Sequence, residues 1–461
     1  LAGRLAVCVD FGSTFTKAAL IDLVEARVLA SASHPTTLGT DVLDGYDDCL
    51  AQLARVDAGV ARAQVLACSS AGGGLRIAVV GNEELVTAEA GRRVALSSGG
   101  SVVAVLAASR AMPEAAALSA AAPDVVLLTG GTDGGNAEAL LSCARALVAA
   151  GWRGPVVVAG NVEAQPEVAE ILGAAGVPSV RAANVVPRIG VLTPESARAA
   201  IRSMFLSHVI GGKHLSARAE FTAMVRGATP DVVLTGVELL ARGLDEEHPG
   251  AGDVAVVDVG GATTDVYSVL EVDPDSAHSG SAGLSREVVA STGVARTVEG
   301  DLGMRWSAPS TVAAAGLVDL VEPAARRRDD PGALPGDEQG AAVDEAIARA
   351  AVGLALRRHA GRSRVVLGPQ GRVVERTGAD LREVALLVTS GGVLRHGRPG
   401  VAQRVLAGST GTEVDGGWQL PGAPRVVVDT DCLLAWTGLL AGDHPGTAYR
   451  LARGMLLARG G

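Results

Sequence analysis

Two stretches of this chain place an aspartate at the end of an apolar run, then a turn of glycines and hydroxyls. The first reads Val7-Cys-Val-Asp10-Phe-Gly12-Ser13-Thr14-Phe-Thr16-Lys17. The second reads Val254-Ala-Val-Val-Asp258-Val-Gly260-Gly261-Ala-Thr263-Thr264-Asp265. Such a turn offers backbone N–H groups and hydroxyls to a phosphate, and its carboxylate can hold Mg²⁺ through water. Asp10 and Asp258 are therefore the candidate catalytic and metal-holding carboxylates. Gly12, Ser13, Thr14, Gly260, Gly261 and Thr263 are the candidate phosphate contacts, and Gly261 lets backbone approach a ligand without a Cβ. Either stretch alone also reads as an ordinary hairpin with a capping Asp. The second copy shifts the weight toward phosphate, with two related lobes gripping one nucleotide. Lys17 falls on the second strand of its hairpin, where it can face the phosphates or point away. Asp265 can orient its turn rather than touch ligand.

The rest of the chain must position these turns. A hairpin around 5–23 is followed by a polar stretch at 31–48 and a helix near 46–56. Residues 64–80 read as two strands around Gly72-Gly73-Gly74, and the Ala-rich residues 84–109 and 112–121 as helices. A strand–turn–helix rhythm follows: 124–129 with a helix at 137–150, then 155–160 with a helix at 164–174 and a short strand from Val177. Short Val/Leu runs alternating with helices predict parallel sheet. The glycine-dense loop Thr129–Asn136 could bind an anion or mark two backbones passing closely. Helices are expected at 194–210 and 232–243 before the second hairpin at 254–270. Beyond it come a loop at 273–283, helices near 309–321 and 342–359, and an outward-bulging loop at 323–341. A hairpin at 365–374, a strand ending in Ser390-Gly391-Gly392, Gly/Pro-rich residues 396–424, a strand at 425–429 and a helix at 432–441 complete the chain.

Composition narrows the function classes. The 461 residues are 48% apolar but only 2% aromatic, so the core is built from Ala, Val and Leu. With 40 Lys and Arg against 50 Asp and Glu, the net charge of −10 argues against a nucleic-acid binder. The one dense basic run, Arg326-Arg327-Arg328, precedes Asp329-Asp330 and reads as a solvated loop. Five scattered cysteines without a C-x-x-C pair fit free thiols in a reducing cytoplasm. The apolar stretch 102–129 is broken by Arg110, Glu114 and Asp124, which excludes a membrane span there. No Walker-type loop and no H-E-x-x-H motif is present.

The order of three elements resembles the actin-like ATPase superfamily of actin, sugar kinases and heat-shock chaperones. These are Asp10-x-Gly12-Ser13-Thr14, then Asp258-x-Gly260-Gly261-x-Thr263, then Ser390-Gly391-Gly392. The resemblance implies an α/β fold of two lobes, each a mixed sheet flanked by helices, with ATP and Mg²⁺ in the interlobe cleft. It implies that Gly391 and Gly392 back the adenosine. Domains follow: 1–252 as a first lobe with an enlarged α/β region, 253–424 as a second lobe, and 425–461 as a strand and helix returning to the first. Three further stretches are similar to the MutL-type accessory proteins associated with glutamate mutase. They are Ser69–Leu75, Leu128–Asn136 and Arg296–Met304. This likeness spans about residues 5–441 and implies an ATP-driven reactivase or chaperone for an adenosylcobalamin-dependent mutase.

The chain departs from the superfamily at one point. Hydrolases of this class place a Glu or Gln before the helix that leads to the second phosphate turn. Here the approach reads Ala228-Thr229-Pro230-Asp231, with no acid at the expected turn. Asp133 at a strand-to-helix junction could aim the water in its place, as could Asp231 or Asp301. The expected activity is a weak ATPase. The alternatives on the same fold are a small-molecule kinase, a hydantoinase-like enzyme, or a filament-forming protein.

Overall fold

The computed structural model describes residues 3–81, 87–107, 114–271, 293–368, 371–376, 378–411 and 417–457. The chain divides into two compact units with the boundary at Leu234 and Thr235.

In the first unit, β1 (Leu5–Phe11), β2 (Phe15–Asp22) and β3 (Arg27–Pro35) form an antiparallel meander. β4 (Gln64–Ser69) lies parallel to β1. Six of the seven β1 residues are buried, because a central strand covered on both faces is written as a continuous apolar run. Between β4 and β10 (Val225–Ala228) the chain builds a separate five-stranded parallel sheet. It comprises β5 (Leu75–Gly81), β6 (Gly100–Ala107), β7 (Val125–Leu128), β8 (Val156–Val158) and β9 (Ser179–Arg181). Helices α1 (Val42–Ala54), α2 (Glu89–Ser97), α3 (Glu114–Ala121), α4 (Ala137–Ala149), α5 (Gln165–Ala174), α6 (Glu195–Met204) and α7 (Ala219–Met224) connect the strands. Asp41 caps α1 by accepting from the N–H of Leu43 at 2.8 Å. α8 (Thr229–Arg242) crosses the unit boundary.

The second unit repeats the first sheet. After the short pair β11 (Gly243–Asp245) and β12 (His248–Pro249), β13 (Val254–Val259), β14 (Thr264–Val269) and β15 (Val294–Glu299) form the antiparallel meander. β18 (Leu386–Ser390) and β19 (Arg425–Val428) add in parallel, with the hairpin β16 (Ser363–Gly368) and β17 (Gly371–Arg376) before them. The strand orders β10-β4-β1-β2-β3 and β19-β18-β13-β14-β15 match position by position and direction by direction. Helices α9 (Ala308–Ala314), α10 (Val321–Asp329), α11 (Glu338–Ala360), α12 (Gly392–Arg395), α13 (Val401–Leu406), α14 (Leu433–Leu440) and α15 (Pro445–Leu457) complete this unit. The α/β fold of two mixed sheets with flanking helices, expected from the actin-like resemblance, is the fold observed.

Several local expectations differ. Residues 100–107 form strand β6, not helix, and β3 runs from Arg27 to Pro35, into the supposed polar stretch at 31–48. The expected loop at 323–341 is largely helical, since α10 covers Val321–Asp329 and α11 starts at Glu338. The Arg326–Arg328 run lies on α10, and Arg327 turns inward onto Asp344 rather than into solvent. The helix expected at 194–210 ends at Met204 as an α-helix and widens into a π-turn over Phe205–Val209. β19, the strand expected to return to the first lobe, is the outer strand of the second unit's sheet. The sequence expectations hold no counterpart of α7, β10, β11, β12, β15, α12, α13 or α15. The loop expected at 273–283 lies outside the described residues.

Few aromatics serve the core, so each carries weight. Phe11 is fully buried and meets Phe221 edge-on at 5.2 Å between ring centroids and Tyr46 at 6.0 Å. Phe221→Ala removes a buried ring from the floor of the first hairpin. It is expected to destabilise the protein by about 3–5 kcal/mol, measured as a lower midpoint in denaturant titration. A loss below about 1 kcal/mol would show that the ring is not part of a tightly packed core.

Candidate functional site

The two hairpins match in register and in turn geometry. Asp10 pairs with Lys17 across β1 and β2, and Asp258 pairs with Asp265 across β13 and β14. Each turn closes with the same hydrogen bond: Gly12 N–H to Phe15 O at 3.1 Å, and Gly260 N–H to Thr263 O at 2.8 Å.

Neighbouring segments then hold the turn carbonyls. In the first turn, Thr36 Oγ1 donates to Gly12 O at 2.8 Å and Thr36 N–H donates to Thr14 O at 2.9 Å. In the second, Met304 N–H donates to Gly260 O at 2.9 Å and Arg305 N–H to Gly261 O at 2.8 Å. Ser307 Oγ donates to Ala262 O at 2.6 Å. A trans peptide sets each C=O opposite the N–H of the next residue. Fixing these carbonyls therefore aims the N–H groups of Ser13, Gly261, Ala262 and Thr263 the other way. The N–H groups of Ser13, Thr14, Gly261 and Ala262 have no acceptor among the described residues. That is the donor set an anion requires.

Asp10 is buried and held from three sides. Thr229 Oγ1 donates to its Oδ1 at 2.7 Å, Cys68 Sγ–H to the same oxygen at 3.6 Å, and Lys17 Nζ lies 3.6 Å from Oδ2. Burial, with the charge of Asp10 adding, pushes the Cys68 thiol up, which keeps it a donor. A carboxylate offers about four lone-pair sites, so capacity for a metal-bound water remains. The position of Lys17 is also settled. Directly paired residues of antiparallel strands share a face, and Lys17 shares that of Asp10.

The second turn inverts the charge pattern. Asp265 stands where the first hairpin has Lys17, so two carboxylates oppose each other across β13 and β14. Arg296 of β15 answers them: its Nη2 and Nε reach Asp265 Oδ1 at 2.6 and 3.0 Å, with the guanidinium buried. Thr263 Oγ1 donates to Asp265 Oδ2 at 3.2 Å. Asp265 thus orients the turn. Mg²⁺ at such a site would neutralise phosphate charge and fix its orientation.

Gly391 follows β18, with φ +123°, and a Cβ there would sit 2.3 Å from Val259 O. Only glycine fits that approach to β13. Gly392 begins α12 beside it. Asp258 pairs with Ser390, and Asp429 follows β19 in the same row. Asp429 accepts from the N–H groups of Leu433 and Leu434 at 2.7 and 3.2 Å. Burial pushes its carboxyl up to about 6, against those two N–H groups and Arg395, with the charge of Asp258 adding to the rise.

The acids weighed for aiming water are all engaged. Asp231 binds Arg202 with both oxygens, at 2.5 and 3.0 Å. Asp301 binds Arg358. Asp133 lies on the loop after β7, in the parallel sheet, and accepts from Asn184 Nδ2 at 2.8 Å and Val162 N–H at 3.2 Å. The Thr129–Asn136 loop is a close backbone crossing: a Cβ on Gly160 would meet Gly130 O at 2.6 Å. Asn161 and Asn184 bind its carbonyls at Thr132 and Gly131.

Sequence reasoning did not find Thr229, Cys68, Asp429 or Arg296 as parts of the two sites. Arg296 lies in the stretch Arg296–Met304 quoted above, and Asp429 carried a signal, an acid at a strand end before a helix. Its raised carboxyl has a pH consequence. An unfolded Asp ionises near 4, so the neutral folded form adds stability below that pH, and this is lost as pH rises toward 6. The loss is on the order of 2–3 kcal/mol. The Tm of wild type relative to Asp429→Asn is expected to fall between pH 4 and 6 and stay level above. A difference that is flat across that range would refute the burial argument.

The sequence pattern of the MutL protein family matches residues 6–456. Protein MutL of Clostridium tetanomorphum is 35% identical over 462 residues, covering 97% of this chain and 98% of that one. Among solved structures, ethanolamine utilization protein EutJ from Carboxydothermus hydrogenoformans is 11% identical. It covers 91% of this chain and 86% of its own, with a TM-score of 0.29. Xylulose kinase from Bifidobacterium adolescentis is 11% identical over 99% of this chain and 94% of its own, with a TM-score of 0.30. The fold itself is read from the repeated strand order. With a match along nearly its whole length, this chain belongs to the MutL protein family.

Proposed function

We propose that this protein binds ATP with Mg²⁺ and hydrolyses it slowly, as an accessory protein for an adenosylcobalamin-dependent mutase such as glutamate mutase. The observation that carries the nucleotide reading is the matched pair of turns. Each sets an aspartate at a strand end beside N–H groups aimed away from fixed carbonyls. Ser13 and Thr14 of one turn, and Gly261, Ala262 and Thr263 of the other, are the proposed phosphate partners, while Gly12 and Gly260 shape the turns by donating to Phe15 O and Thr263 O. Asp10 and Asp258 hold the metal through water, and Lys17 adds positive charge beside Asp10. Gly391 and Gly392 line the adenosine.

Slow hydrolysis follows from the engaged acids. Thr229 occupies the place of the expected Glu or Gln and donates to Asp10 rather than accepting a proton from water. Asp133 remains the candidate water-aiming acid, with Oδ1 taken by Asn184 and Val162 so that a water would meet Oδ2. Slow turnover suits a clock: binding shifts a conformational equilibrium and hydrolysis resets it. Family membership supports the mutase as partner, and the reactivase or chaperone role is proposed on that ground. The free thiols Cys8, Cys49, Cys68, Cys143 and Cys432 suit a reducing cytoplasm. Among the described residues no helix is long and apolar enough to cross a membrane.

Calorimetry with Mg²⁺–ATP tests the reading. Binding is expected in wild type, weakened roughly ten- to hundredfold by Asp10→Ala or Asp258→Ala, as for loss of a charged partner. The mutase is expected to stimulate phosphate release. Absence of any binding heat or thermal shift with Mg²⁺–ATP in wild type would defeat the proposal.

A further inference from the structure

The stretch Arg296–Met304 was singled out by its sequence, and the structure shows what surrounds it. β15 ends at Glu299, and the chain then runs beneath the second phosphate turn. Gly303 comes so close that a Cβ would stand 2.8 Å from Gly261 O. Thr264 Oγ1 donates to Leu302 O at 3.0 Å.

Arg305 belongs to both the turn and the helices beyond it. Its N–H holds Gly261 O, and its Nη2 donates to Asp344 Oδ2 of α11 at 3.1 Å. Asp344 is buried, and its other oxygen accepts from Arg327 Nε of α10 at 2.5 Å. Arg327 also donates to Pro323 O and Gly340 O, both at 3.0 Å, joining α10 to the start of α11. One residue thus ties the peptide that aims the Ala262 N–H, through its backbone, to a pair of helices, through its side chain.

We propose that Arg305 is a positioning residue that couples helices α10 and α11 to the donor geometry of the second phosphate turn. A shift of α10 against α11 moves Asp344, Asp344 moves Arg305, and the Gly261–Ala262 peptide turns with it. Loss of the Arg305 side chain leaves Asp344 paired with Arg327, so the buried carboxylate keeps a counter-charge and the fold survives. The inference rests on reading the turn as a phosphate site.

The test joins hydrogen exchange to calorimetry. Arg305→Met is expected to speed amide exchange at Met304 and at position 305, the two N–H groups that hold Gly260 O and Gly261 O, about tenfold without nucleotide and to weaken Mg²⁺–ATP binding about tenfold, the scale of one charge-assisted hydrogen bond. Its Tm should fall only a few degrees, and Arg305→Lys should recover part of both effects. Arg326→Met, on α10 but paired with Glu322 at the surface, should change neither. Unchanged exchange in Arg305→Met overturns the tether, and faster exchange with unchanged affinity overturns the coupling. If that variant does not fold, Arg305→Gln, which drops the charge facing Asp344, should speed exchange in the same way, and no change there overturns the proposal. A wild type that binds no Mg²⁺–ATP defeats the phosphate reading, while the exchange comparison still decides the tether.

Discussion

Peptide planarity, applied to four-residue turns, is the constraint on which the candidate site depends. A carbonyl pinned by a donor behind the turn sets the following N–H in front of it. In the first turn Thr36 does this with its hydroxyl and its own N–H. In the second, Met304, Arg305 and Ser307 do it in succession. The donors are preorganised before any ligand arrives, so little ordering cost falls on binding. The sheets serve this arrangement. Their parallel strands end in one row, which brings Asp10 near Cys68 and Thr229, and Asp258 near Ser390 and Asp429.

The turns share a backbone and differ in charge. The first faces Asp10 with Lys17, so its carboxylate is partly compensated within the hairpin. The second faces Asp258 with Asp265, which would repel, and draws Arg296 from a third strand. The duplicated architecture thus keeps geometry constant while electrostatics diverge. A buried arginine needs a fixed partner to offset its desolvation, and Asp265 supplies it while aligning Thr263. This makes the second turn dependent on β15 and on the segment that follows it.

The inserted parallel sheet shows how glycine density can mislead. Gly130, Gly131, Gly134 and Gly135 lie after a strand and before a helix, the setting of many anion loops. Their surroundings are protein: Gly160 crosses Gly130, and two asparagines take the loop carbonyls. Glycine there serves close backbone passage. The same residue type at Gly391 lets a chain turn against β13, so composition alone does not separate the two uses.

The sequence by itself determined the two hairpins, because a central strand covered on both faces needs an uninterrupted apolar run and its turn needs glycine. It also determined most α/β alternation, through Val/Leu runs such as Val125–Leu128. It misread Gly100–Ala107, where the valines favour a strand, the Ala-rich residues on both sides favour a helix, and pairing with β5 decides. It misread Val321–Asp329, where only Ala324 is buried and no apolar stripe announces a helix. Only the tertiary structure decided which side chains reach the aspartates. Thr229 and Cys68 meet Asp10 because parallel strands distant in the chain end side by side, and Arg327 turns inward because Asp344 lies buried beneath it. Strand order and burial set those contacts, and local spacing carries no record of either.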